Sequence, residues 1–281
     1  MKKILVLTDF TPNAAHAAEA ALRLSAALGL RILLYHTLQS VPLIPGDSDD
    51  PYVAETAGVL FENSREHLQQ EAERLEKLAG NSSYAVPDIE NTNGDGSISD
   101  VIEKLSADPE IEMIIMGGRS GGAMEHLLTG SDTAAVIRKA VKPVLIIPAA
   151  VNWDIPKKFV FASDFGEADI AAVKFLLGLS NLPGFQLDVM HVIKQGEVVT
   201  DVSSEVAFRK YLAQNQVNYI QVFGDVQQAL QQYCRENNSD VLAITHGHHS
   251  FISRIFGHSE SEAIIAGKQL AVLIFPPGFK P

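Results

Sequence analysis

A glycine-rich loop follows an apolar run in the middle of the chain and is well suited to binding an anion. Met113 to Met116 has the composition of a buried strand, and 117–122 then holds four glycines in six positions. Gly130-Ser131-Asp132 follows at the start of a helical pattern. Backbone N–H groups in such loops and at helix N-termini carry partial positive charge. The stretch therefore predicts a phosphate site.

Two further polar groups are expected beside this loop. Thr8 and Asp9 follow the apolar run Lys3 to Leu7, and Thr37 lies near the end of the run Arg31 to Leu38. In a parallel sheet, ligands bind beyond the carboxyl ends of the strands, where these residues would meet. Asp9 would accept a hydrogen bond from an amine or a ribose hydroxyl, or it would only cap the following helix.

The elements that position these groups alternate between strands and helices, which indicates an α/β fold with a doubly wound parallel sheet. Periodicity and turn residues predict the first-half strands at 3–7, 31–38, 83–91, 113–116 and 144–147. They predict helices at 14–28, at 61–78, after the turn Gly94-Asp95-Gly96-Ser97, and at 132–141. Leu68, Leu75 and Leu78 form the expected core stripe of the second helix, and 40–52 reads as a loop.

The pattern begins again after a linker at 149–156. Ser163-Asp164-Phe165 matches Thr8-Asp9-Phe10, and Met190-His191-Val192 matches Tyr35-His36-Thr37. We therefore expect two domains, residues 1–150 and residues 151–281, of which the second lacks most of the counterpart of 40–80.

The motif spacing resembles that of a known family. Gly117 precedes Gly130-Ser131 by thirteen positions, as in the G-x2-G-x9-G-[ST] signature of the ATP-binding branch of the universal stress protein family. The resemblance extends to Asp9 and Asp164, to His36 and His191, and to the sequence KPVLIIP at 142–148. The chain departs from the signature at Ser120 and, in the second half, at Ile244.

The resemblance implies a stress-response protein that binds ATP or a related adenine nucleotide, with Mg²⁺ as an accompanying ion. The implied nucleotide-binding residues are Thr8, Asp9, Thr37, Met116, Gly117, Arg119, Ser120, Gly130, Ser131 and Asp132. A weaker second site would comprise Asp164, Thr245, Gly247, Gly257 and Ser259. No catalytic residue is assigned, and any ATP hydrolysis would be slow.

The resemblance also implies a specific architecture. Each half would be a flavodoxin-like (Rossmann-like) domain with a five-stranded parallel sheet of order 3-2-1-4-5 and helices on both faces. The last strands, Val144 to Ile147 and Val272 to Phe275, would pair in an internal pseudo-dimer. Further homodimerisation is compatible with this arrangement.

Three other functions compete with nucleotide binding. The degenerate motif would suit a scaffold that acts through protein contacts. Gly118-Arg119-Ser120-Gly121-Gly122 also matches the G-x-S-x-G elbow of serine hydrolases, although only His126 follows in the first half. His246, His248, His249 and His258 would suit a metal site, but they lack helical ligand spacing.

Composition limits the remaining classes. A net charge of −12 and a pI near 5.2 argue against a nucleic-acid partner. One cysteine, Cys234, leaves no internal disulfide and fits a reducing compartment. The sequence has no apolar run long enough for a membrane span, so we expect no membrane partner and a cytoplasmic location.

Overall fold

A computed structural model describes residues 1–38, 51–81, 85–118, 131–149, 153–166, 168–193, 202–246 and 270–280; at 51–57, 131 and 202 it describes the backbone only. The first half contains β1 Lys3–Leu7, α1 Pro12–Leu28, β2 Arg31–Leu38, α2 Pro51–Gly80, β3 Ile89–Asp95, α3 Ile98–Ser106, β4 Ile111–Gly117, α4 Ser131–Lys139 and β5 Val144–Ile147. The second half contains β6 Lys158–Ala162, α5 Asp169–Gly178, β7 Gln186–Ile193, α6 Val202–Gln214, β8 Asn218–Phe223, α7 Val226–Glu236, β9 Val241–Thr245 and β10 Ala271–Phe275.

The strands of the described ranges form a ten-stranded sheet in the order β3-β2-β1-β4-β5-β10-β9-β6-β7-β8. Within each half the order is 3-2-1-4-5 and every pair is parallel, as predicted. The two halves meet where β5 and β10 pair antiparallel, with Leu145 opposite Leu273. The predicted pairing of the last strands is therefore confirmed.

Helices cover both faces of the sheet because successive strand residues point to opposite sides. On one face, Ile4 and Val6 of β1 belong to a core that also includes Leu24 of α1 and Leu75 of α2. On the other, Leu5 packs in a core with Ile102 of α3. Each core continues into the second half, so the α/β architecture with two helical layers is confirmed.

Local sequence explains how α1 begins and ends. Thr11 caps its N-terminus by accepting a hydrogen bond from the Ala14 amide at 3.3 Å, and Pro12 is its first residue. Gly29 ends the helix in a left-handed conformation with φ of 66°. The cap places the residues of the β1–α1 turn at the carboxyl edge of the sheet.

Two edge elements differ from the sequence prediction. The third strand runs from Ile89 to Asp95, so Gly94 and Asp95 belong to the strand, and the turn is made by Gly96 and Ser97. Its sequence, IENTNGD, has little apolar character because this is an outer strand. In the second half, α6 lies where the sequence analysis assigned no helix.

The second helix also differs from its prediction. It begins at Pro51, so it includes Pro51 and Tyr52 of the expected loop and extends ahead of the predicted start at Phe61. Leu68 and Leu75 are fully buried, but Leu78 is 41% exposed and does not belong to the core stripe. Among the helices of the described ranges, none is long and apolar enough to cross a membrane.

Candidate functional site

A cleft of about 360 Å³ opens at the carboxyl ends of β1, β2 and β4, between the N-termini of α1, α3 and α4. It combines residues that are far apart in sequence, because the strand order places β1 between β2 and β4. Six of the predicted nucleotide-binding residues line it: Thr8, Asp9, Thr37, Met116, Gly117 and Asp132.

The turn after β1 holds Asp9 at the rim of this cleft. Its carboxylate Oδ1 accepts hydrogen bonds from the Thr11 amide at 3.0 Å and the Thr11 hydroxyl at 2.6 Å. Among the described residues, Oδ2 of this exposed carboxylate has no hydrogen-bond partner. One oxygen therefore shapes the turn, while the other is available to a ligand.

Phe10 follows with φ of 61°, a left-handed conformation that side-chain-bearing residues rarely adopt. Thr8 supports this turn, since its hydroxyl accepts a hydrogen bond from the Phe10 amide at 3.1 Å. The Thr8 side chain is buried, and its main contribution is to fix the turn that presents Asp9.

His36 lines the cleft beside Asp9, although the sequence analysis used it only as a mark of the resemblance. Its Nδ1 lies 2.7 Å from the Thr8 carbonyl oxygen. A carbonyl oxygen can only accept, so Nδ1 donates this hydrogen bond. The ring packs on Phe10, with centroids 4.5 Å apart, which fixes its orientation.

The end of β4 approaches α1 so closely that Gly117 has to be a glycine. A Cβ atom there would lie 2.7 Å from the Asn13 carbonyl oxygen. The next residue, Gly118, is held on both sides: its amide donates to the Ile147 carbonyl at 2.8 Å, and its carbonyl accepts from Asn13 Nδ2 at 3.2 Å. The backbone at the start of the glycine loop is thus fixed beside the cleft.

The walls of the cleft include residues that the sequence analysis missed. These are Leu7, Thr11, Asn13, Ala14, Tyr35, His36, Ile98, Gly118, Thr133 and Val136. Tyr35 is buried, which raises the pKa of its hydroxyl, and that hydroxyl occupies the space where Gly94 of β3 lacks a side chain. The sequence could have predicted a place in the cleft only for the residues next to Asp9 and Gly117 in the chain. The positions of Tyr35 and Ile98 in the cleft depend on the strand order.

Several predicted residues lie outside the described part of the chain. Arg119, Ser120 and Gly130 are among them, as are His126, Gly247, Gly257 and Ser259. Ser131 begins α4 at the cleft, but only its backbone is described. The described residues hold no group of three or more His, Cys, Asp or Glu side chains that could bind a metal, and His248, His249 and His258 lie outside them.

The second half repeats the β1–α1 turn closely. Phe165 has φ of 62°, and Asp164 Oδ1 accepts from the Gly166 amide at 3.2 Å. His191 Nδ1 lies 2.8 Å from the Ser163 carbonyl, and its ring packs on Phe165 with centroids 4.2 Å apart. The exposed Asp164 therefore occupies the same position as Asp9.

The counterpart of Gly117 is Thr245 rather than Ile244, because Met116 pairs with Leu7 and Ile244 pairs with Ala162 at the ends of β1 and β6. Thr245 is buried, and its hydroxyl donates to Asp169 Oδ1 at 3.0 Å. Ser163 donates to Asp169 Oδ2 at 2.5 Å. Burial raises the pKa of Asp169 to about 7, against the lowering effect of these hydrogen bonds.

Of the three residues in this cluster, Thr245 belongs to the weaker second site predicted above, whereas Asp169 gave no signal in the sequence. Asp169 appears there as an ordinary acid in the first turn of a helix. Ser163 and Asp169 meet across the turn between β6 and α5, and the strand order brings Thr245 of β9 to them.

Comparison with known proteins agrees with this fold. Residues 1–148 match the model of the universal stress protein family. Universal stress protein G of Salmonella typhimurium is 35% identical over 83 residues, which cover 29% of this chain and 58% of that relative's length. A universal stress protein of Thermus aquaticus, from the QAH/OAS sulfhydrylase 3′ region, is 29% identical over 148 residues, covering 52% of this chain and 98% of the relative.

A solved structure extends the likeness of fold to both halves. The crystal structure of a universal stress protein from Archaeoglobus fulgidus matches with a TM-score of 0.70 and 19% identity, covering 98% of each chain. The family model alone spans more than half of the 281 residues. The chain therefore belongs to the universal stress protein family.

Proposed function

We propose that the protein binds an adenine nucleotide, ATP or a related one, in the cleft of its first half. The observation that carries this proposal is the convergence of the Asp9 carboxylate, the His36 ring and the fixed backbone of Gly117 and Gly118 on one cleft. Residues 1–150 and 151–281 would be two domains of the same family.

The lining of the cleft suits the parts of a nucleotide. Its volume of about 360 Å³ is typical of small-molecule sites, which are mainly apolar with a few placed polar groups. Leu7 and the half-buried Ile98 supply apolar surface for a flat ring. Asp9 Oδ2 would accept from the base amine or a ribose hydroxyl.

The phosphates would lie toward the glycine loop and the N-terminus of α4. Backbone N–H groups at a helix start attract anions, and Ser131 begins that helix. Gly130, Arg119 and Ser120 complete the proposed phosphate contacts. Mg²⁺ would accompany ATP as its counter-ion, and ligand binding is the whole of the proposed activity.

A calorimetric titration of magnesium-ATP tests the proposal with a matched pair of variants, Asp9→Ala and Asp164→Ala. Both carboxylates are exposed, and both hold the same kind of turn, so the two changes should perturb folding similarly. A hydrogen bond to a charged group contributes about 1.5–3 kcal/mol, so Asp9→Ala should weaken binding roughly 10- to 100-fold.

The control, Asp164→Ala, should bind like the wild type. An equal loss of affinity in the two variants would show that it comes from disturbing the β–α turns and not from a lost contact between Asp9 and the ligand. A folded wild type that binds no adenine nucleotide would refute the proposal and leave a scaffold role for the fold.

A further inference from the structure

The second half fills the positions that form the cleft in the first half. The pairing of strands identifies equivalent residues in the two halves. Tyr35 pairs with the last residue of β1 and Met190 pairs with the last residue of β6, so these two are equivalent. Two positions further along, Thr37 therefore corresponds to Val192. Leu38 pairs with Asp95 as Ile193 pairs with Phe223. Asp95 and Phe223 are therefore equivalent, and three positions after each of them Ile98 corresponds to Val226.

The first part of the cleft to consider lies between the end of β4 and the start of α1. At the equivalent positions the second half has a buried hydrogen-bonded cluster. Where the first half has Gly117 packed directly against the start of α1, the second half has Thr245, whose buried side chain is hydrogen-bonded to Asp169 of α5. Where the first half has Ala14 at the cleft, the second has Asp169, which is fully buried and bridges Thr245 and Ser163. The carboxyl group thus ties the ends of β6 and β9 to the first turn of α5.

The apolar side is closed as well. Thr37 is half-buried and lines the first cleft, whereas Val192 is buried in a core cluster with Met190. Ile98 is half-buried at the first cleft, whereas Val226 is buried in that same cluster. Each replacement removes a surface that a ligand could contact.

We propose that the second half has lost its ligand cleft by filling it with its own side chains, so that the chain binds one nucleotide, and that Thr245 and Asp169 are the residues that keep the second half closed. The identity of the ligand rests on the proposed function; the closure does not. The described residues of the second half keep the turn and the Asp164 carboxylate, and behind them lie the buried side chains of Asp169 and Thr245.

Cysteine reactivity measures the closure without any nucleotide. Cys234 is the sole native cysteine and is buried, and burial raises the pKa of its thiol to about 12, so its background labelling is slow. Thr37→Cys and Val192→Cys place a thiol at equivalent positions of the two halves. We expect a disulfide reagent to label the Thr37 variant at least about tenfold faster than the Val192 variant.

A second comparison tests the two assigned residues. Adding Asp169→Ala and Thr245→Ala to Val192→Cys should raise its labelling rate toward that of Thr37→Cys, with the fold checked by circular dichroism. Equal labelling of Thr37→Cys and Val192→Cys would overturn the closure. A folded triple variant that labels as slowly as Val192→Cys would overturn the roles of Asp169 and Thr245.

The number of bound nucleotides completes the test. Calorimetry should give one magnesium-ATP per wild-type chain, and two per chain would overturn the proposal. If none binds, the proposed function fails, and the labelling rates still decide whether the second half is closed.

Discussion

At the scale of residues, Asp9 in the first half and Asp169 in the second have opposite environments. Asp9 is exposed at an open cleft, whereas Asp169 is fully buried between two hydroxyl groups. Burial disfavours the charged form, so the pKa of Asp169 rises from an ordinary 3.8 to about 7. The nearby Asp164 carboxylate raises it further.

This shift predicts a pH-dependent contribution to stability. Between pH 3.8 and about 7 the folded protein holds a proton on Asp169 that the unfolded chain has released. Stability from this group is therefore greatest at low pH, falls as the pH rises through that window by up to about 1.4 kcal/mol per pH unit, and is lost above it. The amide introduced by Asp169→Asn cannot ionise, so the free energy of unfolding of this variant should lack the pH dependence that comes from Asp169.

The measurement is the free energy of unfolding in denaturant from pH 4 to pH 8. The difference between Asp169→Asn and the wild type should shift in favour of the variant as the pH rises. Asp9→Asn, which changes an exposed carboxylate in the first half, is the matched control and should follow the wild-type slope. Parallel curves for wild type and Asp169→Asn would contradict the buried-acid account.

Part of this residue-scale structure could be predicted from the sequence. The sequence predicted Thr8, Asp9 and Gly117 at the cleft because each lies at the carboxyl end of a predicted strand. The carboxyl ends of parallel strands lie at the same edge of a sheet, so these residues had to be close together. Tyr35 could not be predicted, because its place depends on Gly94 of the adjacent strand. The burial of Asp169 could not be predicted, because its partner Thr245 is 76 positions away and meets it only through the strand order.

At the scale of elements, the central strands were predictable and the outer elements were less so. The runs at 31–38 and 144–147 match β2 and β5 residue for residue, because buried strands are nearly continuous apolar runs. The outer strand β3 is polar and half-exposed, so its pattern was too weak to place its end at Asp95. The sequence did not predict helix α6 for a similar reason: several residues of VSSEVAFRKYLAQ are exposed, and among its described side chains only Phe208 and Leu212 are buried.

Helix α2 offers a direct test of which face supports the fold. Leu75 is fully buried and Leu78 is 41% exposed, although both were expected in the core. Leu75→Ala should lower the free energy of unfolding by about 2–5 kcal/mol, because it leaves a cavity. Leu78→Ala is the matched control on the same helix and should cost less than about 1 kcal/mol. Equal costs, measured by denaturant unfolding, would contradict the packing of α2.

At the scale of the whole molecule, the two halves share one sheet and continuous cores. β5 and β10 pair at its centre, and one core cluster runs from Ile4 in the first half through Trp153 in the linker to Phe161 in the second. Central strands lose many contacts if they separate, so we expect the halves to unfold together.

Two native reporters can check this cooperativity. Trp153 is the single tryptophan and is buried at the junction, while Cys234 is buried in the second half. Tryptophan fluorescence and thiol reactivity should give the same denaturant midpoint, and Leu75→Ala should lower both midpoints together. Two separated midpoints would show that the halves unfold independently.

The central claim, a single adenine-nucleotide site in the first half, is tested most directly by hydrogen–deuterium exchange of the unmodified protein with and without magnesium-ATP. The account predicts slower exchange in peptides covering residues 7–14, 35–37 and 116–118, which line the cleft. It predicts no change at the equivalent residues 162–169, 190–192 and 244–246 of the second half. Protection in the second half, or none in the first, would contradict it.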